Sequence, residues 1–114
     1  SAVHFAGPGG DFDYPGNENC TVATLVRPCW VFDGVFAPAG YVPPNGNLYS
    51  WATGTSMAAP HVSGVAALIF GKYPGITAQK VEQILRQSAQ DLGKPGKDVF
   101  FGQGRVNAAN AVAD

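Results

Sequence analysis

Charge is scarce in this chain. Only 13% of its 114 residues are Asp, Glu, Lys or Arg, and they sum to a net charge of -1. Without a basic surplus there is no electrostatic footprint for nucleic acid or an anionic membrane surface, so neither is expected as a partner. Long hydrophobic runs are missing too. The longest apolar stretch, Val62 to Phe70, carries Ser63 and Gly64 and falls far short of a membrane span. There is no internal repeat. Cysteine is limited to Cys20 and Cys29, nine positions apart. That spacing is no CxxC motif, and no second Cys or His pair completes a zinc set. Two readings stay open for the pair, a local disulfide or two free buried thiols. The disulfide is the one that fits an exported protein, and closing so short a loop would contribute about 2–3 kcal/mol. The chain opens Ser1-Ala2-Val3-His4, with no initiator Met and no charged-then-apolar leader. Export therefore cannot be read from the N-terminus, and that beginning is expected to be a cut inside a longer protein.

What the chain does have is a 46% hydrophobic content, at a length sufficient for one modest domain with a core. Fifteen glycines and nine prolines imply many turns, mostly before residue 50. Val3 to Ala6 reads as a short strand ending at Gly7-Pro8-Gly9-Gly10, and a second brief strand is expected within 11–16. From Asn17 to about Asn47 a long loop is expected, interrupted by a strand at Trp30-Val31-Phe32. Its aromatics, Trp30, Phe32, Phe36 and Tyr41, argue that it packs on something. Pro43-Pro44-Asn45-Gly46 marks a turn, and Leu48 to Ala52 reads as a strand.

The second half is helical. A helix from about Ser56 to Tyr73 is apolar or small on every face, which predicts full burial. It needs cover on all sides, and the chain offers only two further helices and a few short strands, so more protein is expected around it. Pro74-Gly75 ends it. Thr77 caps a second helix to about Leu92, with Val81, Ile84, Leu85, Ala89 and Leu92 on one side. Asp98 to Phe101 reads as extended, Gly102 to Arg105 as a turn, and Asn107 as the cap of a last helix through Val112.

The chemistry concentrates in Gly54-Thr55-Ser56-Met57-Ala58-Ala59-Pro60-His61-Val62-Ser63-Gly64. A serine hydroxyl needs a base to take its proton and donors to hold the developing oxyanion. A helix N-terminus supplies the second through its unpaired N–H groups and the positive end of its dipole. Gly54 lets a substrate backbone approach, Ala58 and Ala59 let the helix pack closely, and Pro60 is expected near enough to the helix start to cost little. Alone, Gly-Thr-Ser would read as a loop-to-helix junction with Ser56 as N-cap. The G-x-S-x-G elbow of α/β-hydrolases does not fit, because position 58 is Ala.

The whole motif resembles the nucleophile segment of the subtilisin-like serine proteases, the subtilases. Phe5-Ala6-Gly7-Pro8 through Asp11 to Pro15-Gly16, and Gly102-Gln103-Gly104-Arg105-Val106-Asn107-Ala108-Ala109, resemble further segments of the same family. The resemblance implies an α/β fold with a parallel sheet between helices, of which residues 1–114 are the C-terminal portion. It implies a secreted serine endopeptidase acting on peptides or proteins through an acyl-enzyme on Ser56. Thr55 and the Ser56 N–H would serve the oxyanion, and Thr53, Gly54 and Met57 would line the substrate cleft; many members have Asn where Thr53 stands. No cofactor is required, no metal ligand is assigned, and structural calcium is an expectation for the full-length enzyme only. Asp11, Asp13 and Glu18 read as solvated acids without calcium-loop spacing.

In subtilisin the triad runs Asp, His, Ser along the chain. Only His4 precedes Ser56, without the family's surroundings for the base, and His61 reads as a hydrogen-bonded core residue. The Asp, the His and the oxyanion Asn would be supplied upstream, so the expected partner is the N-terminal fragment of the same protease. The alternative is a non-catalytic subtilase fragment or an interaction domain, inactive alone.

Overall fold

The computed structural model describes residues 3–11 and 18–114, the side chain of Val42 excepted. Most of the second brief strand expected within 11–16 lies outside these residues. The chain forms two compact units, residues 9–57 and residues 1–8 together with 58–114.

In the first unit, β1 (Asn19–Val22) pairs antiparallel with β2 (Leu25–Pro28), Cys20 standing opposite Arg27. A 3-10 turn, Cys29–Asp33, follows. A second antiparallel hairpin joins β3 (Val35–Val42) to β4 (Gly46–Ala52). The long loop expected from Asn17 to about Asn47 is therefore two hairpins, and Trp30 to Phe32 lie in the 3-10 turn rather than a strand. The β-branched and aromatic residues sit in matched halves around short turns, a pattern that pairing rewards and local periodicity does not display. Pro38 is tolerated in β3 because the register shifts between Pro38 and Gly40.

Cross-strand rings hold the second hairpin. Phe36 stands opposite Trp51 with ring centroids 4.5 Å apart and stacks on Tyr49 at 5.6 Å. Phe32 meets Trp51 edge-on at 5.2 Å. Cys20 and Cys29 form a disulfide, which settles the open pair and ties β1 to the 3-10 turn. The Cys29 N–H also donates to the Glu18 carbonyl at 3.0 Å.

The second unit carries the core. The helix α1 runs Thr55–Lys72, α2 Ala78–Ser88 and α3 Ala108–Ala111. Val65 and Ile69 of α1, four apart on one face, pack with Val81 and Leu85 of α2, Val106 and Ala111. The full burial expected of α1 does not occur within this chain. Leu68 and Phe70 remain 51% and 47% exposed, since the cover that α2, α3, Val106, Phe5 and Ile76 furnish lies over the Val65 and Ile69 face. Thr77 and Asn107 cap α2 and α3 as expected, each side chain accepting a backbone N–H in the first turn. The α2 helix stops at Ser88 rather than about Leu92, because Gln90 leaves it to pair with Arg105. At the end of α1, the Lys72 ammonium donates to the carbonyls of Val112 and Ala113 and to Asp114. These bonds satisfy acceptors that the end of α3 leaves open.

The chain is mixed α and β, but among the described residues both sheets are antiparallel and the parallel pairing is confined to Ala6 with Arg105. Val3 to Ala6 contribute that pairing instead of a strand. Around it, Ala6 N–H donates to Gly104 O, Val106 N–H to Ala6 O, and Gln103 N–H to His4 O, while Gln90 and Arg105 exchange both bonds. Gly104 sits at φ +112°, and a Cβ there would strike the Gln90 carbonyl. The Asp98 to Phe101 segment, expected extended, is a turn. Asp98 and Gly102 exchange backbone bonds, and the Asp98 carboxylate accepts the N–H groups of Phe100 and Phe101 at 2.8 and 2.7 Å.

Two measurements probe these features. Gly104→Ala should lower stability by about 2–4 kcal/mol in urea unfolding, combining a strained φ with overlap on backbone. The Phe101 N–H above all, then that of Phe100, holds the Asp98 carboxyl below its ordinary range. Its folded value being depressed, its contribution is complete above the ordinary carboxylate pKa and is lost as pH falls through the folded value. The Tm deficit of Asp98→Ala should therefore be present at neutral pH and shrink in acid.

Candidate active site

Five consecutive residues, Thr53 to Met57, carry the chain out of β4 and into α1. Thr53 is half-buried, and Gly10 packs against it closely enough that a Cβ on Gly10 would lie 2.7 Å from its methyl group. The Gly54 N–H donates to the Gly9 carbonyl at 2.8 Å, fixing the strand's end before the helix starts. Gly54 adopts φ +133°, a region effectively reserved for glycine, and a Cβ there would meet the Ser56 nitrogen at an ordinary contact distance of 3.9 Å.

The Gly54 carbonyl accepts the Met57 N–H at 2.9 Å, the first bond of the helix. Gly54 is thus the cap, Thr55 the first helical residue and Ser56 the second. The expected start at Ser56 moves by one residue, and the alternative of Ser56 as N-cap falls with it. Thr55 and Ser56 are exposed, while Met57 is half-buried. The N–H groups of Thr55 and Ser56, ahead of that bond, have no helix carbonyl one turn earlier and face the space before the helix. Pro60 is the sixth residue of α1 rather than one near its start, so no N–H reaches back from it to the Ser56 carbonyl.

The remaining candidates lie elsewhere. His61 is half-buried on α1 and engaged with a partner. Five positions after Ser56, it is turned about 140° around the helix from the serine. His4 is exposed and its carbonyl is held by Gln103. Asp11 and Glu18 are exposed, and Asp13 lies outside the described residues. Among the described residues, no group of three or more His, Cys, Asp and Glu side chains is placed to hold a metal ion. No helix of the described residues is long and apolar enough to cross a membrane.

Sequence reasoning missed the ring platform that Phe32 of the 3-10 turn builds with Phe36 and Trp51 of the β3–β4 hairpin. The signal was present as aromatics on either side of the Pro43-Pro44-Asn45-Gly46 turn, where a hairpin brings them opposite one another.

The family model of the subtilases, peptidase S8, matches residues 14–104. The chain belongs to the subtilase family. It is 45% identical over 64 residues to an extracellular serine protease of Serratia marcescens, covering 56% of this chain and 6% of that protein. It is 46% identical over 67 residues to a thermostable alkaline protease of Halalkalibacterium halodurans, covering 59% and 18% respectively. Among solved structures, a lanthipeptide protease superposes with a TM-score of 0.74 at 35% identity, covering 96% of this chain and 35% of that one. The chain thus spans well under half of each of these relatives.

The unusual backbone at the site is open to a direct test. Gly54→Ala should cost about 1–3 kcal/mol in urea unfolding although nothing blocks the methyl group. Gly64→Ala, also unobstructed but inside α1, should instead gain up to about 1 kcal/mol.

Proposed function

We propose that this chain is the C-terminal portion of the catalytic domain of a secreted subtilisin-like serine endopeptidase, with Ser56 as its nucleophile. The carrying observation is an exposed serine one residue inside a helix N-terminus, behind a glycine that no side chain could replace without strain. In this reading the Ser56 Oγ attacks the scissile carbonyl and forms the acyl-enzyme. The Ser56 N–H, at the positive end of the α1 dipole, stabilises the oxyanion, with Thr55 supporting it. Thr53, Gly54 and Met57 line the cleft, Gly54 admitting the substrate backbone.

The base and its orienting acid come from upstream sequence, because the triad order of subtilisin places both before the serine and neither histidine here suits the role. The chain's partner is therefore the N-terminal part of the same protease, and alone it does not turn over peptides. The chemistry calls for no cofactor; calcium, where bound, would serve structure in the full-length enzyme. Export is supported by the Cys20–Cys29 disulfide and by the extracellular relative from Serratia marcescens.

In the full-length protease, Ser56→Ala should lower peptide hydrolysis by about a million-fold and abolish fluorophosphonate labelling. The isolated 114-residue chain should label poorly. Undiminished hydrolysis by the Ser56→Ala enzyme would overturn the assignment of the nucleophile. Efficient Ser56-dependent turnover by the isolated chain would overturn the requirement for upstream partners.

A further inference from the structure

The turn that carries Ser56 is seated by backbone from elsewhere in its own unit, residues 9–57. Among the described residues, none of the buried hydrophobic side chains lies within that unit. With no core beneath it, the junction from β4 into α1 is located by close contacts of another kind. Gly10 supplies them. A Cβ on Gly10 would stand 2.7 Å from the Thr53 methyl group, 3.0 Å from the Gly34 Cα and 3.1 Å from the Asp33 carbonyl oxygen. Thr53 is β-branched and stiff at χ1, so its methyl group does not swing aside, and the other two atoms belong to backbone. Gly10 also sits at φ +74°, where glycine alone is at ease.

Two backbone hydrogen bonds flank it. The Gly54 N–H donates to the Gly9 carbonyl at 2.8 Å, and the Asp11 N–H to the Asp33 carbonyl at 3.3 Å. Gly9 to Asp11 thus bridge the end of the 3-10 turn to the residue that caps α1. Gly34 closes the other side, since a Cβ there would lie 3.2 Å from the Trp51 Cβ and 3.3 Å from the Ala52 carbonyl oxygen. Ser56 follows the clamped Gly54 by two residues.

We propose that Gly10 is a positioning residue for the nucleophile, acting through Thr53 and Gly54 to hold the Ser56 hydroxyl at its point of attack. The inference rests on the peptidase reading of Ser56 and adds to it what fixes the serine in place. Attack requires reacting atoms aligned within a fraction of an ångström, and an error of about 1 Å can cost about a hundredfold in rate. A side chain on Gly10 pushes Thr53 away and shifts the turn. Binding of an extended peptide is shared among many contacts, whereas attack depends on this one oxygen. The signature is therefore a fall in kcat at nearly constant KM.

The test uses the full-length protease. Gly10→Ala should lower kcat by about tenfold to a hundredfold, with KM changed by less than about threefold. Gly46→Ala controls for backbone strain, because it also replaces a glycine at positive φ, +83°, but in open space at the far end of the β3–β4 hairpin. It should leave kcat within about twofold of the parent enzyme. Adding Thr53→Ser to Gly10→Ala removes the methyl group that the new Cβ strikes, and should restore kcat by about threefold or more. Gly34→Ala decides the matter where Gly10→Ala does not fold. At φ -72° it carries no strain, yet it crowds the same junction, so it should lower kcat several-fold with KM again steady.

A Gly10→Ala enzyme with the kcat of Gly46→Ala, a loss confined to KM, or a loss that Thr53→Ser leaves untouched would overturn the proposal. So would an unchanged kcat in Gly34→Ala. Any of these beside an inactive Ser56→Ala enzyme defeats the positioning role and leaves the peptidase reading standing. Hydrolysis that persists in Ser56→Ala defeats both.

Discussion

Residues 103–106 set the register of the larger unit mainly through backbone, with one side-chain bond from Arg105 to Gln90. The chain there runs between the His4–Ala6 segment and Gln90, bonding to one on one side and to the other on the opposite side. Three stretches distant in sequence are thereby registered chiefly by main-chain bonds. Gly102 and Gly104 permit it, since a Cβ on either would enter the backbone of the neighbouring segment. With that register set, Val106 drops into the core beside Ile69 and Val81, and Asn107 is placed to start α3. The early end of α2 follows as well, because Gln90 is needed for the pairing.

The other unit solves a different problem. It has little core of its own and relies on hairpin pairing, stacked rings and one covalent link. That suits a segment whose task is to deliver a short piece of backbone. The strand β4 is fixed by Phe36 across from Trp51, Gly54 just beyond its end is pinned by Gly9, and the helix begins at the next residue. Ser56 inherits its position from these contacts, as none of its own is required to hold it.

Legibility in the sequence followed the range of the interactions involved. The caps Thr77 and Asn107, the turn at Pro43 to Gly46, the strand into the motif and the extent of α1 were all readable, because each is decided by residues a few positions apart. The hairpins were not. Their partners are up to seventeen positions apart, as with Val35 and Ala52, and Pro38 and Gly40 disguise β3 as loop. The turn at Asp98 was misread as extended because Val-Phe-Phe looks like strand, while the carboxylate that bends it acts through backbone N–H groups the sequence does not display. The motif around Ser56 was legible as a family resemblance, and the structure adds that the serine lies inside the helix instead of capping it. Burial of α1 was overestimated, since an all-round apolar helix states a demand for cover and says nothing about which chain meets it.

The Cys20–Cys29 link has a consequence for survival. The residues it encloses, Thr21 to Pro28, include the exposed tip of the first hairpin, the sort of site where proteases nick a folded chain. A cut there produces two ends that remain covalently joined, because the bridge spans the break. The chain can thus be clipped at that exposed loop and still hold both halves of the hairpin in one molecule.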